Sequence, residues 1–167
     1  MRLSRVALAA LGCASAFAAD APKNWFGDPY FQLTRDIAAC PEPRGPYITE
    51  AEALRESHHR AERGTRCHLE GRCRHPSSFD YDREIADHIR QAASGRRGAL
   101  PRSTLWILVQ GRRVWIYGCV AAGYRSAGLE KWLRSIPDVE VATEEVRIGS
   151  GKVPYRTRVS SSADIPS

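Results

Sequence analysis

The sequence predicts an α+β protein, a small two-layer α-β-β-α-β sandwich with a helical, disulfide-linked N-terminal extension, and three observations lead there. Between residues 104 and 148 the apolar residues change period in the order strand, strand, helix, strand. Within that stretch, Thr104-Leu105-Trp106-Ile107-Leu108-Val109 and Val114-Trp115-Ile116-Tyr117-Gly118-Cys119-Val120 are rich in β-branched and aromatic residues and flank Gln110-Gly111-Arg112-Arg113, which marks a hairpin. Upstream, cysteines at 40, 67 and 73 precede Cys119, an even set that reads as two disulfides in an oxidising compartment.

The first segment has the pattern of a leader. Arg2 and Arg5 make a basic start, Val6 to Leu11 a short apolar stretch, and Ala16-Phe17-Ala18 supplies small cleavage residues, so residues 1–18 read as a secretory signal peptide and the mature chain as periplasmic or secreted. The alternative is a lipoprotein through Cys13, since Ala10-Leu11-Gly12 loosely resembles a lipobox. The apolar stretch is too short to span a bilayer and no later run approaches that length, so no transmembrane segment is expected in the mature chain. Loss of Arg2 and Arg5 lowers the formal charge from +6 to about +4, spread without a dense basic run, which permits contact with anionic surfaces but points away from nucleic acid.

Residues 19–79 form the extension. Asp28-Pro29 fits the cap and first position of a short helix that ends before Cys40, and Pro41, Pro43, Gly45 and Pro46 then impose an extended connector. Thr49-Glu50-Ala51-Glu52 is a capping box, and Ala51, Leu54, His58 and Ala61 share a helical stripe until Gly64 stops it. Residues 65–78 make a cysteine-bearing loop. The domain proper, residues 80–148, opens with a helix at 80–94 that carries Ile85, Ile89 and Ala92 along one face and stops at Gly95-Arg96-Arg97-Gly98. In the hairpin, a type II′ turn at Gly111-Arg112 pairs Gln110 with Arg113, Leu108 with Trp115, Trp106 with Tyr117 and Thr104 with Cys119. One face then carries Leu105, Ile107, Val109, Val114, Ile116 and Val120, and the other Trp106, Leu108, Trp115, Tyr117 and Cys119. A helix at 124–135 offers Ala127, Leu129, Trp132 and Leu133 for packing, Ile136-Pro137-Asp138 breaks it, and 139–148 is the last strand. Residues 149–167, rich in serine, glycine and proline, read as a flexible tail.

Four cysteines allow three pairings. Proximity favours Cys67 with Cys73, which leaves Cys40 with Cys119; loop-closure entropy gives upper limits of about 2.4 kcal/mol for the short loop and about 4.5 kcal/mol for the long one. Cys67, His68, Cys73 and His75 have the donor types of a tetrahedral zinc site, but the five-residue gap between the cysteines is long and export favours oxidation, so no metal is expected.

The element order from residue 80 to 148 resembles the BON domain, a small module of bacterial envelope proteins. Val114-x-Ile116-x-Gly118-x-Val120 looks like the family's second strand, Gly111 like its turn glycine, and Pro137-Asp138-Val139 like the turn into its third strand. Gly111 lies one residue further from Val114 than the family pattern has it, and Asp138 stands where a glycine is customary. The resemblance implies a non-catalytic protein, without cofactor, that binds phospholipid membranes or attaches to other envelope proteins. No Gly-x-Ser-x-Gly, His-Glu-x-x-His or phosphate-cradling glycine loop stands against that, and the carboxylate pairs Asp80 with Asp82 and Glu144 with Glu145 fall at solvated helix starts and strand faces.

The aromatic hairpin face is the surface most in need of a partner. Three aromatics at ~200 Å² each would expose roughly 600 Å², the upper end of what a monomer leaves open. The expectation is that the extension covers it through Leu54, Phe31 and Ile37, stapled by Cys40 and Cys119; the alternative is an open face meeting acyl chains or another protein. Candidate contact residues for an anionic phospholipid surface or an envelope partner are Arg112, Arg113, Trp115, Tyr117, Tyr124 and Arg125. The function read from the sequence is thus an exported, non-enzymatic binding module, with a structural or accessory subunit docking on an envelope or secretion protein as the alternative.

Overall fold

A computed structural model describes residues 21–96 and 100–158; the leader and Cys13 lie outside the described residues. The fold is mixed α+β, with a four-stranded sheet in sequential order β1 (Tyr30–Arg35), β2 (Ser103–Gln110), β3 (Arg113–Val120) and β4 (Val141–Ile148). The helices are α1 (Glu50–Leu69), α2 (Asp82–Ser94), entered through a 3₁₀ turn at Ser78–Tyr81, and α3 (Gly128–Leu133). The β1/β2 and β2/β3 pairs are antiparallel, whereas β3 and β4 are parallel and joined through α3. Among the described residues no helix is long and apolar enough to cross a membrane.

Period-2 alternation decides the core. Leu105, Ile107 and Val109 of β2 and Val114, Ile116 and Val120 of β3 share one face and join Ile85, Ala86 and Ile89 of α2 and Leu129, Trp132 and Leu133 of α3 in one buried cluster. The hairpin register is the expected one, Gln110 opposite Arg113 through Thr104 opposite Cys119. Its turn is different. Gly111 and Arg112 both take positive φ, 61° and 66°, the type I′ pattern, whose twist matches that of the strands. The two turn amides donate to the Asp82 carboxylate at 2.6 and 2.8 Å, so a buried acceptor beneath the turn selects its type.

The segment after Asp28-Pro29 is strand β1 and not a helix. The outer edge of β2 needs backbone partners, and Tyr30 and Phe31 can serve opposite faces: Phe31 pairs with Ile107 and packs on the core, while Tyr30 pairs with Leu108 on the aromatic side. A register shift between Gln32 and Thr34 leaves Leu33 bulged and packed on the core.

Helix α1 starts at the capping box, Thr49 with Glu52, but runs on through Gly64 to Leu69. Gly64 serves close approach: a Cβ there would lie 2.9 Å from Ser77 Oγ and 3.2 Å from the Phe79 ring. The helix also turns a different face inward. Ala51, Leu54, His58 and Ala61 are exposed, Leu54 at 69%, whereas Ala53, Gly64 and Cys67 are buried and the Arg60 side chain is 11% exposed. Arg60 must reach Asp28 and Cys67 must reach Cys73, and these residues outweigh a weak apolar stripe. Helix α3 is shorter than its apolar spacing implies, because Ala127 takes φ 69° and the Tyr124 hydroxyl accepts the Leu129 amide at 2.7 Å.

The disulfides are Cys40–Cys119 and Cys67–Cys73, with Cα separations of 5.8 and 5.3 Å. The aromatic face is partly covered. Trp106 and Leu108 are buried, and above them lie Tyr30, whose hydroxyl donates to Pro43 O, and Tyr155, whose hydroxyl donates to Pro41 O and whose ring meets Tyr117 at 5.7 Å. Leu54 takes no part, Phe31 lies on the opposite face, and Ile37 contributes its backbone, which exchanges two hydrogen bonds with the Thr104 hydroxyl. Residues up to 158 of the expected tail are anchored: Pro43 bridges Thr157, Arg44 N donates to Arg156 O at 2.7 Å and Arg158 N to Glu42 O at 3.0 Å. Residues 159–167 lie outside the described residues.

Replacing Cys40 and Cys119 together by alanine opens a loop with a sequence separation of 79 residues and should lower the unfolding free energy by about 2–4 kcal/mol, read from urea denaturation.

Candidate anion-binding site at the hairpin tip

Two buried carboxylates meet at the turn end of the β2/β3 hairpin. Asp28, just before β1, receives Arg60 of α1 through two bonds of 2.6 and 3.1 Å and Gln110 at the end of β2 at 2.5 Å. Its own amide donates to Asn24 Oδ1. The Arg60 guanidinium lies 4.1 Å from the Phe26 ring centre and 4.0 Å from that of Phe79, so the pair is closed off from water by aromatic faces. Asp82, at the start of α2, is buried and accepts the two turn amides; Asp80 is exposed and closes the Ser77 capping box. Of the two aspartates expected at a solvated helix start, Asp82 is therefore enclosed, because the turn amides need an acceptor that water does not supply.

Burial pushes the Asp82 carboxyl up to about 6 from its ordinary 3.8, against the two amide donors, which favour the ion. Burial likewise lowers the proton affinity of the Arg63 guanidinium, reinforced by the neighbouring charges of Arg60 and Arg113.

The six residues expected to make contacts do not share a site. Arg112 is turned inward: its Nε donates to Asp138 O at 3.0 Å, its Nη1 lies 3.1 Å from Cys73 Sγ, and it reaches Glu140 at 3.9 Å. Arg113 is half-buried, stands 5.8 Å from the Trp115 ring centre, and its Nε is buried without a hydrogen-bond partner among the described residues. Trp115 and Tyr117 are half-buried, and Tyr117 lines a separate cavity of about 280 Å³ with Pro43, Glu145 and Tyr155. Tyr124 and Arg125 follow the opposite end of β3; Tyr124 donates to Glu144 at 2.8 Å, and Arg125 is exposed.

Arg113 instead joins residues that sequence reasoning passed over. A cavity of about 210 Å³ beside the turn is lined by Arg63 and Arg66 of α1, Arg72 of the disulfide loop, Ser78, Arg113 and Glu140. Arg63, Arg66 and Arg113 form no ion pair with a described residue, whereas Arg72 pairs with Glu70 and lies 3.7 Å from Glu140. The available signal was the recurrence of arginine every third residue at 60, 63 and 66, which a search for apolar stripes does not register. Cys67 and Cys73 are bonded to each other, His75 stacks on Tyr81 at 4.6 Å, and among the described residues no group of three or more His, Cys, Asp or Glu is arranged to hold a metal. What the arrangement offers is a set of cations and one hydroxyl facing a partly open cavity, which suits binding of an anion.

No family model, curated protein or solved structure matches the chain.

Two outcomes follow from the carboxylates. Arg60→Met leaves the Asp28 charge buried without its cation and should cost about 3–5 kcal/mol in urea denaturation, with part recovered in the Asp28→Asn/Arg60→Met double variant. For Asp82, whose folded value lies above its unfolded one, the proton-linked stabilisation is fully present below its ordinary 3.8 and is lost as pH rises through about 6. The stability difference between the natural chain and Asp82→Asn should therefore move in favour of the natural chain as pH falls from about 7 to about 4; a difference independent of pH would refute the assignment.

Proposed function

We propose that the protein is an exported, non-enzymatic binding module that engages an anionic phospholipid surface of the bacterial envelope. The observation that carries this reading is the hairpin-tip cavity, where Arg63, Arg66 and Arg113 face one volume without an ion-pairing carboxylate of their own. Free guanidinium groups held on rigid elements bind phosphate oxygens through two parallel hydrogen bonds and attract anionic surfaces over about a Debye length. Export is supported by the two disulfides, which agree with an oxidising compartment.

The resemblance to BON domains from residue 80 onward is supported by the element order α2, β2, β3, α3, β4. It is supported also by Asp138, which takes φ 63° where that family has a glycine, so the backbone requirement is met by another residue tolerant of the left-handed region. Non-enzymatic action is supported by the duties of the perturbed groups. Asp82 holds the turn, Tyr155 ties the tail to Pro41, and Tyr124 caps the start of α3. A second reading, an accessory subunit docking on an envelope protein, is favoured by the outer face of α1, where Leu54 and Leu69 are exposed.

The mature chain should co-sediment with vesicles containing phosphatidylglycerol at low salt, release as salt is raised, and ignore purely zwitterionic vesicles. Absence of sedimentation with anionic vesicles at low salt would sink the membrane reading, and retention by envelope proteins in its place would favour the accessory one.

A further inference from the structure

We propose that the cavity beside the hairpin turn is a binding site for a terminal phosphate monoester, held by Arg63, Arg66, Arg113 and the hydroxyl of Ser78. The inference rests on the same site as the membrane reading and gives it a ligand class.

The donors come from three separate parts of the chain, α1, the 3₁₀ turn and the first residue of β3, and each part is held in place by its own contacts. Helix α1 is tied to Asp28 through Arg60 and to Cys73 through Cys67. Ser77 caps the 3₁₀ turn, and the hairpin turn sits on Asp82. The cavity is therefore preorganised, which lowers the entropy lost on binding. Its polar atoms are also unsatisfied. Ser78 is only 3% exposed and its Oγ has no hydrogen-bond partner among the described residues, and the same holds for the buried Nε atoms of Arg63 and Arg113. Buried polar groups are nearly always paired, so three unpaired ones on residues that line a single cavity mark it as a place where a ligand can supply partners.

The one carboxylate that lines the cavity, Glu140, is drawn to Arg72 and Arg112, so Arg63, Arg66 and Arg113 stay without an ion pair among the described residues. Asp28 is taken by Arg60 and Gln110, Asp82 by the turn amides, Glu70 by Arg72, and Glu140 lies between Arg72 and Arg112. Burial lowers the proton affinity of Arg63, reinforced by the charges of Arg60 and Arg113, and an entering anion counters that like-charge contribution.

Geometry and charge select the class. A monoester phosphate presents three terminal oxygens and close to two negative charges, which suits donors arriving from several directions; a carboxylate has two coplanar oxygens and one charge. At ~30 Å³ per water, the cavity of about 210 Å³ holds roughly seven waters. That admits a phosphoryl group and the first atoms of its carrier. The same group occurs on soluble phosphate esters and on the headgroup of phosphatidic acid, so the test separates the two sources.

The experiment titrates the mature chain with inorganic phosphate, glycerol 3-phosphate and, as a control, acetate, following backbone amide shifts by NMR. Vesicles of phosphatidylcholine with phosphatidic acid or with phosphatidylglycerol form the second arm. Glycerol 3-phosphate should shift Gly111, Arg113 and Ser78 saturably, acetate should not, and affinity should fall as pH drops through the second phosphate ionisation near about 6. Ser78→Ala and Arg66→Gln, each checked for an unchanged melting temperature, should weaken it by about tenfold. Arg66 is exposed, so its substitution leaves the fold intact if Ser78→Ala does not. Shifts absent with both phosphates, or equal affinity in the folded variants, overturn the proposal. Sedimentation with phosphatidylglycerol vesicles alongside absent phosphate shifts leaves the membrane reading standing without this site. Phosphate binding with no sedimentation on either vesicle supports the site and assigns it a soluble ester, while preference for phosphatidic acid vesicles assigns it the lipid.

Discussion

The buried carboxylate of Asp28 is the constraint around which the molecule is arranged. A charge withdrawn from water is tolerated only with a partner of opposite sign and with its remaining lone pairs occupied, and Arg60 and Gln110 meet both conditions. These three residues belong to the approach to β1, the middle of α1 and the end of β2, so one hydrogen-bonded cluster sets the position of a strand, a helix and a hairpin. It also chooses which face of α1 turns inward. Once Arg60 points at Asp28, Gly64 and Cys67 follow on the same side, and Leu54 is left in solvent. Arg63, one turn further on, is carried to the hairpin tip by the same rotation.

A second aspartate does comparable service for the turn. Asp82 accepts two consecutive amides, and its burial opposes its ionisation, so the cost of enclosing the carboxylate is set against the cost of leaving two amides unpaired. With Arg112 spent on Asp138 O and the region of Cys73, the tip is a rigid platform, and Arg113 alone of the two tip arginines faces the cavity. The aromatic side of the sheet closes for a related reason. Cys40–Cys119 draws the connector over Trp106 and Leu108, and Tyr155 from the far end of the chain completes the cover. The sheet face is thereby largely closed, while the arginines without ion pairs among the described residues lie at the tip of the hairpin.

Much of the fold was legible in the sequence, and the candidate site largely was not. The hairpin register, the core face, the capping box at Thr49 and the two disulfide pairs could all be read, because each depends on spacing over a few residues or on a count of cysteines. Strand β1 stands where local signals point to a helix, because Asp28-Pro29 is a strong helix start and the edge of β2 that overrides it lies more than seventy residues away. The anchored part of the tail was missed for the same reason: its serine, glycine and proline content describes a free segment, while the bond of Tyr155 to Pro41 spans the chain. Of the cavity, the contact residues read from the sequence include only Arg113: the spacing of Arg63 and Arg66 places two cations on one helix face, but their meeting with Arg72, Arg113 and Ser78 depends on the folded chain.

By itself the sequence determined everything governed by local periodicity: alternation across β2 and β3 can bury only one set of side chains on the core face, and glycine at 111 makes a tight turn cheap there. The tertiary structure decided the turn type, the face of α1 and the gathering of arginines at the tip. Those choices follow from satisfying buried charges and amides, and the partners that satisfy them, Asp28 with Arg60 and Gln110 and Asp82 with Gly111 and Arg112, are tens of residues apart. Electrostatic pairing acts through space and leaves no period along the chain, so it becomes visible only when the chain is folded.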